Sequence, residues 1–414
     1  MGLNKYSIGI GDRFGHQGKA QLQALIEAAE HGIEITPVWN KSFREHSIIG
    51  TTPENTRNAA DQAVAAKNWS KPYFVDADHI GLKTVDEFLS SSDFFTMDVA
   101  EEIGKPVADD MIRDFLQFCE RFTKPFFVPG IDGKIDVNST VVTKIAHQYL
   151  AGILEAEKIY RHITTGVNRQ FVLELSIDET VYPQQPVDLF FILAAAAWLE
   201  LPLDTIAPKF TGRFNKGVDY VGDIGRFSTE FEQDVLVVNY AIREFGFSPN
   251  LKLSVHSGSD KFSLYPIIQN ILKKYNVGVH LKTAGTTWLE ELIGIAELGG
   301  EGLELVQEIY CKSLARQTEL TGPYATVLDI DPAKLPSSED VKNWSAKQFV
   351  NTLRHIQTNK EYNLNFRQLL HVGYKIAAEM GSKFQDALVK YEDSIAENVT
   401  ENLFDRHIKP LFIG

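Results

Sequence analysis

The strongest constraint on this chain is a repeated pattern: a short β-rich run, then an apolar helical stretch, eight times in about 300 residues. The predicted strands are Ser7–Gly11, Ile33–Trp39, Tyr73–Asp76, Phe94–Met97, Gln170–Ser176, Thr205–Pro208, Lys252–Val255 and Gly278–Leu281. Predicted helices follow them, among them Lys19–Ala29, Pro53–Lys67 (opened by Thr-Thr-Pro), the short Val85–Leu89, Val187–Leu199 and Trp288–Leu298. Strand–helix alternation of this length indicates an α/β fold, a (β/α)8 TIM-type barrel. An open doubly wound sheet is the competing architecture, but no Gly-x-Gly-x-x-Gly follows the first strand.

The domain reading follows from where the alternation stops. Residues 1–300 form the barrel, with an insertion near 122–165 that reads as a hairpin over Phe126–Val137 and a long helix, Ser139–Tyr160. Residues 301–414 read as a helical region packed on the barrel, and an interface between copies in a homo-oligomer is expected there. The longest apolar run, Leu189–Leu199, is too short to span a bilayer, which needs about 20 residues. A formal charge of −14 disfavours nucleic acid, whose phosphates call for Lys and Arg. Two cysteines, Cys119 and Cys311, lie far apart and outside any metal-knuckle spacing. A reducing cytoplasm is the expected location, with no membrane partner.

In a barrel the C-terminal strand ends share one mouth. Reading those ends off the chain gives Asp12, Arg13 and His16; Asn40 and Lys41; Asp76, Asp78 and His79; Asp98; Glu174 and Asp178; Lys209; His256 and Asp260; His280 and Lys282. Polar groups gather there in nearly every unit. His79, His256 and His280 are the candidate metal ligands, an imidazole set that suits Zn, Mn, Ni, Co or Fe. A lone histidine at such a position more often caps a strand, but three at three strand ends point to a metal. Glu174 lies inside an apolar strand. Burial raises a carboxyl pKa, which suits a general acid, and an ion pair with Lys209 is the structural alternative. Asp76 and Asp78 share one strand face. Lys209, Arg213, Lys261 and Lys282, with Asp76 and Asp260, are the candidate substrate contacts. The Lys282–Thr287 segment opens a helix whose N-terminus could hold a carboxylate, although Gly-Thr-Thr is also an ordinary N-cap sequence.

At these residues the chain resembles the tagaturonate epimerase family, some of whose relatives act on the neutral ketoses fructose and tagatose. The resemblance rests on Val75-Asp-Ala-Asp-His-Ile-Gly81, Leu173-Glu-Leu-Ser-Ile-Asp-Glu179, Ser254-Val-His-Ser-Gly-Ser-Asp-Lys-Phe262 and Val279-His-Leu-Lys-Thr-Ala-Gly-Thr-Thr-Trp288. It implies a divalent-metal-dependent isomerase of hexuronate catabolism, interconverting D-tagaturonate and D-fructuronate. It also implies His79, His256 and His280 as metal ligands, with Asp78 and Glu174 as the acid/base pair. The carbon that inverts is not adjacent to the ketone, so simple enolisation does not reach it, and retro-aldol cleavage with re-addition is the expected route. A metal-dependent sugar aldolase of the same barrel class and a non-catalytic sugar-binding protein are the alternative readings.

Overall fold

The computed structural model describes residues 2–283 and 285–414. Eight parallel strands close into a barrel in sequence order: β1 (Tyr6–Gly11), β2 (Ile35–Ser42), β3 (Phe74–Ile80), β4 (Phe94–Asp98), β5 (Val172–Ser176), β6 (Thr205–Ala207), β7 (Lys252–Val255) and β8 (Val279–Lys282). β1 closes the ring by pairing with β8, Ser7 opposite His280 and Gly9 opposite Lys282. The expected (β/α)8 architecture is therefore present. Four strands run beyond their predicted ends, β2 to Ser42, β3 to Ile80, β4 to Asp98 and β8 to Lys282. Polar residues end a strand on a propensity scale, but at this barrel mouth Asp78 and Lys282 pair across the ring, while Ser42 and Asp98 accept N–H bonds from the turns that follow them.

Register and alternation set the interior. Leu3, Val38, Phe74, Phe94 and Val172 form a small apolar plug inside the ring. Further along β3, β4, β5, β6 and β8 the inward positions are polar: Asp76, Thr96, Glu174, Thr205 and Lys282, each at most 3% exposed. Barrel interiors are usually filled by branched apolar side chains. A charged layer at this depth needs compensation by mutual pairing. Gly9 makes the layer possible, since a Cβ there would lie 3.0 Å from Lys282 Cγ and 3.3 Å from His280 Nε2.

The predicted hairpin in the insertion reduces to one antiparallel bridge, Phe126 to Ile135, and the following helix is longer than expected, Ser139–Gly166. The stretch predicted as a helix from Val85 is a single 3-10 turn, Val85–Glu87. The C-terminal region is helical, and its apolar side chains form a second core with the barrel helix Thr286–Glu297, through Trp288, Leu289, Leu292, Ile293 and Ile295. Among the described residues no helix is long and apolar enough to cross a membrane.

Candidate metal centre and active site

Two strand ends are bent to aim their histidines. In β3 the register shifts between Ala77 and Ile80, and His79 adopts φ +56°, a left-handed conformation uncommon outside glycine. Without the irregularity, alternation would send Asp78 inward and His79 outward. The bulge brings both to the mouth, as bulges near functional sites do. His256 follows the last residue of β7, and Ser257 immediately after it has φ +50°.

His79, His256 and Asp178 each offer one donor atom, all within 4.8 Å of one another. His79 Nε2 lies 3.5 Å from Asp178 Oδ1, and His256 Nδ1 lies 3.1 Å from the same oxygen. The opposite nitrogen of each ring is held by a carboxylate: His79 Nδ1 by Asp78 Oδ1 and His256 Nε2 by Glu174 Oε1, both at 2.7 Å. An ionised carboxylate only accepts, so each held nitrogen carries the proton. The free nitrogens then present lone pairs toward Asp178 Oδ1, another acceptor. His256 Nδ1 is buried and makes no hydrogen bond. Acceptors that converge without a donor fit a cation between them, and carboxylates behind ligating histidines are the usual outer support of such a site.

Lys282 ties the support together. Its Nζ lies 2.9 Å from Asp76 Oδ2, 2.9 Å from Asp78 Oδ1 and 3.2 Å from Glu174 Oε1, and donates to Thr96 Oγ1 at 2.8 Å. Thr205 Oγ1 donates to the other Glu174 oxygen at 2.7 Å. Burial works against every charge here. For Glu174 the neighbouring Lys282 and then His256 outweigh it and hold the carboxyl well below its usual range. That is opposite to the direction expected from the sequence, and the partner is Lys282, not Lys209. For Asp76 burial prevails and pushes the carboxyl up to about 7. One ammonium among three carboxylates cannot neutralise them all, and Asp76 is the one of the three that takes a proton most readily. Burial depresses both metal-facing histidines, but Asp78 beside His79 and Asp178 beside His256 lift each of them above its ordinary value, so that without a cation a second proton takes its place between ring and Asp178. The centre attracts positive charge.

Other sequence-predicted residues are placed differently. His280 lies one inward position before Lys282 on β8; its Nδ1 meets Ser7 Oγ at 2.9 Å and its Nε2 has no hydrogen-bond partner among the described residues. Burial pushes it down to about 3, so it is a neutral imidazole outside the converging donor set. Lys209 Nζ is bonded to the carbonyl of Thr180. Arg213 pairs with Asp329 at the surface, 3.0 Å apart. Lys261 donates to the carbonyls of Asn215, Val218 and Ser259. Asp260 is fully buried and bonded to Arg367. Asp178, only one of many strand-end polar residues in the sequence, is brought to the centre; it lies two residues past inward Ser176, the offset alternation gives a residue on the same side.

Comparison with known proteins identifies the family. A sequence model of the tagaturonate epimerase family matches residues 1–411. The tagaturonate/fructuronate epimerase of Thermotoga maritima is 27% identical over 422 residues, spanning 97% of this chain and 79% of that protein. Crystal structures of the fructuronate-tagaturonate epimerase of Cohnella laeviribosi share the fold. The one-glycerol complex has a TM-score of 0.82 at 24% identity over 99% of this chain and 82% of that one. The two-glycerol complex has a TM-score of 0.83 at 23% identity over 100% and 83%. This chain belongs to the tagaturonate epimerase family.

Proposed function

We propose that this chain interconverts D-tagaturonate and D-fructuronate, and that D-tagatose and D-fructose are the neutral counterparts open to the same chemistry. The observation that carries the reading is the convergence of His79 Nε2, His256 Nδ1 and Asp178 Oδ1, backed by Asp78 and Glu174. A divalent cation (Zn, Mn, Ni, Co or Fe) held by these three would supply Lewis-acid stabilisation of the negative charge developing on substrate oxygen. Asp178 takes the third place in this proposal, ahead of His280.

The residues divide the remaining work. Asp78 is 8% exposed at its side chain, and among the described residues its Oδ2 meets only the Asn40 amide, at 3.3 Å. It is the better placed carboxylate to take the hydroxyl proton from the inverting carbon. The bond from that carbon to the ketone-side carbon then breaks, its electron pair passing to the ketone fragment. The aldehyde turns, the bond re-forms on its other face, and the proton returns to the new alkoxide. Glu174, with both oxygens bonded inside the barrel, serves by fixing the His256 ring. Lys282 keeps Asp78 and Glu174 ionised.

Turnover of tagaturonate in D2O, followed by NMR, tests the route. Fructuronate without deuterium at the inverted carbon is expected. Deuterium at that carbon would refute retro-aldol chemistry, and accumulation of separate fragments would make the protein a lyase.

A further inference from the structure

His256 is followed by a turn that does not hold itself. Ser257 and Asp260, neither a glycine, have φ +50° and +61°. Left-handed non-glycine residues persist only where surrounding structure over-determines them. Gly258 between them admits no side chain, since a Cβ would lie 2.3 Å from Leu281 Cδ1. Its N–H donates to the carbonyl of Lys282 at 3.0 Å, so the turn is joined to the strand that carries the central ammonium.

The forces holding the turn come from far along the chain. Arg367 and Asp260 are both fully buried. Arg367 Nη2 donates to Asp260 Oδ2 at 2.5 Å, Nε to the carbonyl of Gly217 at 2.6 Å, and Nη1 to the carbonyl of Leu353 at 2.8 Å. One guanidinium thus joins the turn after β7, the loop after β6 and the C-terminal helices. His355 Nδ1 stands 3.2 Å from Asp260 Oδ2, and the Asp260 N–H donates to His407 Nε2 at 3.0 Å. A planar fork suits three fixed acceptors in a way a lysine cannot reproduce.

We propose that Arg367 is a positioning residue for His256, acting through Asp260: the C-terminal region sets the backbone turn that aims His256 Nδ1 at Asp178. The inference rests on the proposed role of His256 in the metal centre. It makes residues 355–407 a working part of the active site as well as a cover for the barrel.

The test compares Asp260→Asn, Arg367→Met and the double variant in the full chain, measuring thermal midpoint, Co2+ affinity and kcat with KM. Each single variant strands a buried charge and lowers the midpoint. The double variant removes both members of the pair, leaving Glu290, 4.0 Å from Arg367 Nη2, as the buried carboxyl that loses a neighbour, and recovers most of it. Loss of an outer support typically costs about 10–100-fold in metal affinity or activity. A loss of at least about tenfold in Co2+ affinity and in kcat is therefore expected in the double variant, with KM changed little. Recovery of affinity and kcat together with the midpoint would overturn the proposal, because the pair would then be purely structural. If the singles do not fold, the double variant alone decides. A wild-type chain that neither binds cobalt nor needs metal would refute the metal reading, and kcat of the double variant would still decide the positioning role.

Discussion

Replacing Lys282 with methionine removes the ammonium shared by three buried carboxylates. The ammonium stands 2.9 Å from Asp76 and Asp78 and 3.2 Å from Glu174, and the three carboxylate side chains are 0%, 8% and 0% exposed. Removing one partner of a buried ion pair costs about 3–5 kcal/mol. That loss is expected in full at pH 8. Without the ammonium, the folded-state pKa values of these carboxylates rise above their unfolded values near 4, so the folded chain binds more protons than the unfolded one between those limits. Stability of the variant then falls as pH rises, by about 1.4 kcal/mol per unit for each such group. Asp76, already held up to about 7 in the native layer, is the first to take a proton. At pH 6 the deficit relative to the native chain should shrink by about 2–3 kcal/mol. Denaturant unfolding with chelator present, followed by tryptophan fluorescence at both pH values, measures it. A loss under about 1 kcal/mol at pH 8, or an equal loss at pH 6, would refute the picture of Lys282 as the neutralising centre.

Three further substitutions read the metal centre. Glu174→Gln keeps the shape but removes the charge behind His256, and Co2+ affinity should fall about 10–100-fold; unchanged affinity would remove Glu174 from the support. Asp178→Asn should cost at least about tenfold in Co2+ affinity while His280→Asn stays within about threefold, and the reverse order would restore His280 as the third ligand.

Much of the barrel was legible because its strands are short apolar runs whose polar residues collect at one end. Lys252–Val255 is found at its predicted limits. The ends of β3 and β8 were not legible, because Asp78 and Lys282 pair across the closed ring. The centre was half readable. His79 and His256 stand out by residue type, but His79 reaches the mouth only through a bulge that no periodicity announces. Asp178 was one acid among many until the ends of β3, β5 and β7 were brought around one mouth. Lys282 read as an anion-binding group because its three carboxylates lie on two other strands. Arg367, His355 and His407 gave no signal at all: their partner Asp260 is 95 to 147 residues away, and only the packed structure joins them.

The most direct test of the central claim is epimerase activity on tagaturonate and on tagatose, in chelator-stripped protein and after adding back Mn, Ni, Co, Zn or Fe. Activity that disappears on stripping and returns with one of these ions is expected. Full activity in the stripped protein would contradict the claim, and His79, His256 and Asp178 would then be a polar network without a metal.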